Sequence, residues 1–148
     1  MRTRSKLLGG SLAVLMILAI NPVLADGPKS WDQADVLQIS DELSKAARKL
    51  KVECRNSPPK YFDEGTGRHI EFKYHVRHFL WVSYRLNNTL EDGAGREETE
   101  PLYNTLAGME EGFNTYANMP GGAWIAVDRA VEKVNEHLSQ LSAYYTSN

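Results

Sequence analysis

Apolar residues recur every three or four positions through four stretches of the chain, and segments rich in helix breakers separate them. In the first stretch Val36, Ile39, Leu43, Ala46, Ala47, Leu50 and Cys54 fall on one helical face. Ser30 stands three residues before Gln33, an S-x-x-Q capping box that predicts the helix start, and Asn56, Ser57, Pro58 and Pro59 predict its end. A loop containing Gly65 and Gly67 leads to a second helix over about 69–90, with Phe72, Val76, Phe79, Leu80, Ser83, Leu86 and Leu90 inward. Residues 91–95, from Glu91 to Gly95, form a short polar turn. The third stretch carries Leu102, Leu106, Met109, Phe113 and Tyr116, with Pro101 near its start, where first-turn amides lack intrahelical partners anyway. Asn118, Met119, Pro120, Gly121 and Gly122 stop it. The fourth has the cleanest seam: Trp124, Val127, Val131, Val134, Leu138, Leu141 and Tyr145.

Four amphipathic helices with short connections predict an all-α fold, an up-down-up-down antiparallel four-helix bundle with the seams facing inward. A three-helix core with the first helix docked loosely, or a bundle completed by a homodimer, is the alternative. No strand alternation, internal repeat or low-complexity tract interrupts this pattern.

Ahead of the four stretches the pattern is different. Arg2, Arg4 and Lys6 precede an apolar run from Leu7 to Ile20, and Val23, Leu24 and Ala25 provide a small-residue exit after Pro22. The run is shorter than the roughly 20 residues that a membrane span needs. These features predict a secretory signal peptide over 1–25, cut after Ala25, and a bundle domain over 26–148 working in the periplasm or outside the cell. The residue directly after the cut is Asp26 and not a cysteine that could carry a lipid, and no membrane span is expected once the signal is gone.

The full chain holds 17 Lys and Arg against 19 Asp and Glu. Because three of the cations lie before the cut, the exported domain has 14 against 19, a balance of −5. An acidic domain is a poor match for nucleic acid or an anionic membrane, which need a concentrated basic surface. Lys45, Arg48, Lys49, Lys51 and Arg55 form the nearest approach to one, read here as cations on a solvated helix end. Cys54 is the single cysteine, so the domain has no internal disulfide and depends on packing, with Cys54 itself on the apolar face.

Only one constellation on these helices suggests chemistry. Glu71, His75 and His78 stand at i, i+4 and i+7, which places a carboxylate and two imidazoles on one face of the second helix, with Val82 continuing the stripe. Such a donor set suits a divalent transition metal, completed by a fourth donor such as Glu110, Glu111 or His137 from another helix. On the side of the same helix away from Phe72 and Phe79, Ile70, Tyr74, Trp81 and Tyr84 either widen the buried surface or form a partner-binding patch. No nucleophile and base, phosphate-binding glycine loop or catalytic carboxylate pair is present.

An exported four-helix bundle with His137 late in its last helix resembles, in architecture, the periplasmic b-type and c-prime cytochromes. The resemblance implies haem held through His137. The sequence departs from both patterns: there is no C-x-x-C-H attachment, and the methionines of the exported domain, Met109 and Met119, are not in the first helix. The leading expectation is therefore a non-enzymatic binding or interaction module for a protein or small ligand, with metal binding through Glu71, His75 and His78 as its rival and haem a distant third.

Overall fold

The computed structural model describes residues 28–56, 68–117 and 125–146. The expected signal peptide, Trp124 and the breaker segments around Pro58 and Gly121 lie outside the described residues, as do the side chains of His69, Ile70 and Tyr116. Among the described residues there are four helices and no strand: α1 (Gln33–Asn56), α2 (Arg68–Glu91), α3 (Arg96–Ala117) and α4 (Ile125–Tyr145).

The start of α1 differs from the S-x-x-Q expectation. Asp32, not Ser30, is the cap, its Oδ1 accepting the amides of Ala34 at 3.0 Å and Asp35 at 3.1 Å. Gln33 does not turn back on Ser30. Its amide donates to the carbonyls of Leu90 at 2.9 Å and Ala94 at 3.2 Å, while its Oε1 accepts from the Trp31 indole at 2.9 Å. Tertiary partners have taken the side chain that the local motif would have used. The segment before the cap is drawn across the bundle end, where the Lys29 amide donates to the Ala143 carbonyl at 2.6 Å.

Helix α2 ends in a Schellman turn. The Ala94 amide reaches the Thr89 carbonyl at 3.1 Å and the Gly93 amide reaches that of Leu90 at 3.0 Å, with Gly93 at φ 90°. Two residues later Glu98 Oε2 accepts the Gly95 amide at 3.0 Å and so caps α3. Helix α3 thus begins five residues before Pro101, which falls in its second turn instead of its first. The hydrogen bond missing there is one to the Glu97 carbonyl, and both residues are exposed.

Each helix packs on its sequence neighbours and α1 closes on α4, while among the described residues the backbones of the diagonal pairs, α1 with α3 and α2 with α4, stay apart. Side-chain contacts fix the directions. The start of α1 meets the end of α2 through Gln33 and Leu90, and the end of α4 through Asp35 and Tyr144. The start of α3 meets the end of α4 through Thr99 and Tyr145, and early α2 meets late α3 through His75 and Met109. All neighbours are therefore antiparallel, as the short connections require.

The described seam residues of α2 and α4 are all buried, and Val36, Leu43, Ala47, Leu50 and Cys54 of α1 join them. Aromatic edges fill the interior: Phe113 meets Phe79 at 4.9 Å and Phe72 at 6.3 Å, while Tyr103 stacks on Tyr145 at 4.4 Å. Burial pushes the Cys54 thiol up to about 12, so it stays protonated and packs as a small apolar group.

Candidate functional site

Helix α2 carries the candidate residues because it is the most aromatic and histidine-rich of the four, and its two flanks face different surroundings. On the α3 flank His75 is half-buried. Its Nε2 donates to the Met109 carbonyl at 2.8 Å and its ring meets the edge of Phe113 at 4.9 Å. The acceptor is a carbonyl, so the proton sits on Nε2. Gly112 makes room for this ring: a Cβ there would stand 2.5 Å from Nε2.

His78 takes the other direction. It is exposed and lies tilted over Trp81, 6.2 Å between ring centroids. Glu71 is also exposed. Glu71, His75 and His78 share a stripe of α2, but the structure turns His75 toward α3 and leaves His78 over Trp81. Among the described residues no three His, Cys, Asp or Glu side chains gather into a group able to hold a metal ion. Glu110 and Glu111, the expected donors from α3, belong to no such group, nor does His137, whose Nδ1 lies 3.2 Å from Gln140 Oε1 on its own helix. Val82, which continues the stripe, is in the core.

The outer flank of α2 is built differently. Tyr74 is 63% exposed and Trp81 55%, large apolar rings left in water on one side of the helix. Each carries an arginine: the Arg77 guanidinium lies 6.0 Å from the Tyr74 centroid and that of Arg85 lies 4.9 Å from Trp81. Tyr74, His78, Trp81 and Arg85 are spaced four, three and four residues apart, so they form one outward stripe. Around the corner Arg48 of α1 donates to the Tyr84 hydroxyl at 2.7 Å with its guanidinium 5.5 Å from the ring. Tyr84 is half-buried and packs against the core, so of the aromatic group expected on this side it widens the buried surface, while Tyr74 and Trp81 do not.

Sequence reading identified the rings and missed their cations. The signal was present as Y-x-x-R at 74–77 and W-x-x-x-R at 81–85, spacings that bring a guanidinium over a ring one turn away. No protein-family model, curated protein or solved structure matches the chain, and the functional argument rests on this geometry.

Proposed function

We propose that the chain is an exported, non-catalytic interaction module that docks a partner protein on the outer stripe of α2. The observation that carries this reading is the pair of exposed rings, Tyr74 and Trp81, each covered by an arginine about one helical turn further along α2. Trp, Tyr and Arg are the residue types that dominate binding energy at protein interfaces, because they bury large area at low entropic cost and keep a polar handle. A cation over each ring limits its exposure in the free molecule and offers a donor to a carboxylate of the partner. The partner this chemistry suits has an apolar patch bordered by acidic residues. No described helix is long and apolar enough to cross a membrane.

Site-specific photo-crosslinking in the exporting cell tests the proposal. A photoreactive residue replacing Trp81 or Tyr74 is expected to give one discrete adduct, and one replacing the exposed Ser139 of α4 none. Equal labelling at 81 and 139, or no adduct at 74 and 81, overturns it.

A further inference from the structure

Between the last two turns of α1 and the early turns of α2 lies an open-sided cavity of about 110 Å³ walled by Lys51, Cys54, Arg55, Lys73, Val76 and Arg77. Its two uncharged walls belong to the core, Val76 being 2% and Cys54 4% exposed. The other four residues are cations, and they come in like-charged pairs one helical turn apart, Lys51 with Arg55 and Lys73 with Arg77. Such i, i+4 pairs repel. Elsewhere Lys29 pairs with Asp35, Lys45 with Asp41 and Glu42, and Lys133 with Glu136, while Arg48, Arg85 and Arg96 lie over aromatic rings. None of the four around the cavity is ion-paired with a described residue. Glu53 is the carboxylate whose charge reaches the Cys54 thiol, where it opposes Lys73. In a chain with more anions than cations, four cations thus line one small cavity whose remaining walls are apolar, a composition that suits an anion with an apolar body.

We propose that this cavity binds a small organic anion, its apolar body against Val76 and Cys54 and its negatively charged group among Lys51, Arg55, Lys73 and Arg77. The volume sets the size. An apolar cavity of about 150 Å³ accepts benzene, so this slightly smaller, open-sided one accepts part of a ring or a short alkyl chain with the charged end at the rim. Arg77 also lies over Tyr74 of the docking stripe, but the site does not rest on that reading, and loss of either leaves the other standing.

Titration of the ¹⁵N-labelled exported chain with sodium phenylacetate, followed by amide shifts, tests the site. Saturable shifts centred on residues 51–55 and 73–77 are expected. Acetate lacks the apolar body and benzyl alcohol lacks the charge, so each should bind at least about fivefold more weakly, as should phenylacetate to Lys51→Gln/Lys73→Gln, whose helical circular dichroism should be unchanged. Arg55→Gln/Lys73→Gln gives a second variant with the same expectation. Failure of phenylacetate to saturate the site overturns the proposal. So does acetate binding as tightly as phenylacetate, which is an ion atmosphere only, or full affinity in both variants.

Discussion

The hydroxyl of Tyr144 donates to Asp35 Oδ2 at 2.9 Å and so ties the last turn of α4 to the first turn of α1. The Lys29 ammonium completes the clasp, donating to the same Tyr144 oxygen at 2.5 Å and lying 3.5 Å from Asp35. Hydrogen bonds from Tyr144 first and Lys29 second hold the Asp35 carboxyl below its ordinary 3.8. The Tyr144 bond, ahead of Asp35, raises Lys29 above 10.5. Asp35 binds its proton less readily folded than unfolded, so its contribution is complete above the ordinary carboxyl value of 3.8 and fades as pH falls below it. Lys29 holds its proton more tightly when folded, so its contribution is complete below 10.5 and fades above it. Thermal melts across the acid range should show a shallower loss in Asp35→Asn than in the wild type. An identical acid limb in the two would mean the clasp is not formed in solution.

Two glycines of α3 should respond differently to the same substitution. Gly108 has open space where a Cβ would go, so Gly108→Ala should stabilise by about 0.5–1 kcal/mol through helix propensity. Gly112→Ala places its methyl on the His75 ring and must displace a hydrogen bond worth about 1 kcal/mol, so the gain should vanish. In a His75→Ala background the gain should return. Equal stabilisation at both glycines in the wild-type background would show that the ring does not occupy the site.

His75 also decides the metal question. The bond from Nε2 to Met109 predicts that His75→Ala costs about 1 kcal/mol of stability and leaves the thermal response to zinc the same as in the wild type. A saturable zinc-induced rise in melting temperature that disappears in both His75→Ala and His78→Ala would establish ligation and refute the structural role.

Val134 is 0% exposed at the middle of the α4 seam. Val134→Asp should lower unfolding free energy by about 3 kcal/mol or more, since the carboxylate would be buried without a partner. Chemical denaturation measures this directly, and an unchanged midpoint would mean that the inward face of α4 is misassigned.

Export should remove residues 1–25. Intact mass of the chain recovered from outside the cytoplasm is expected to begin at Asp26, and a membrane-retained product carrying Met1 would show an anchor instead of a signal.

The seams were readable because burying an apolar stripe imposes a period that no other structure shares. Val127, Val131, Val134, Leu138 and Leu141 follow it without interruption, and the structure buries every one. The buried polar residues were not readable. Ser40, Ser44 and Thr99 look like surface residues in sequence, yet they are enclosed, Thr99 because its hydroxyl pairs with that of Tyr145 at 2.8 Å. Tyr103, likewise unforeseen, is buried by its stack on Tyr145. The α1 cap was misplaced by two residues because Gln33 obeys partners 57 and 61 positions away, which a local motif does not contain. For the candidate site, the shared stripe of Glu71, His75 and His78 followed from helical geometry alone, but the pull of a carbonyl on α3 that turns His75 aside did not.

The hydrogen bond between the backbones of Lys29 and Ala143 makes the two described ends of the chain neighbours in space. In topological terms the bundle is a closed ring of helices, and the α1–α4 seam is the one that no connecting loop spans. Every other seam joins segments that are consecutive in the chain, whereas this one joins residues 115 apart, as between Lys29 and Tyr144. The entropy of loop closure is therefore concentrated at a single joint, and the order in which the chain visits the ring is interchangeable in a way that its packing is not.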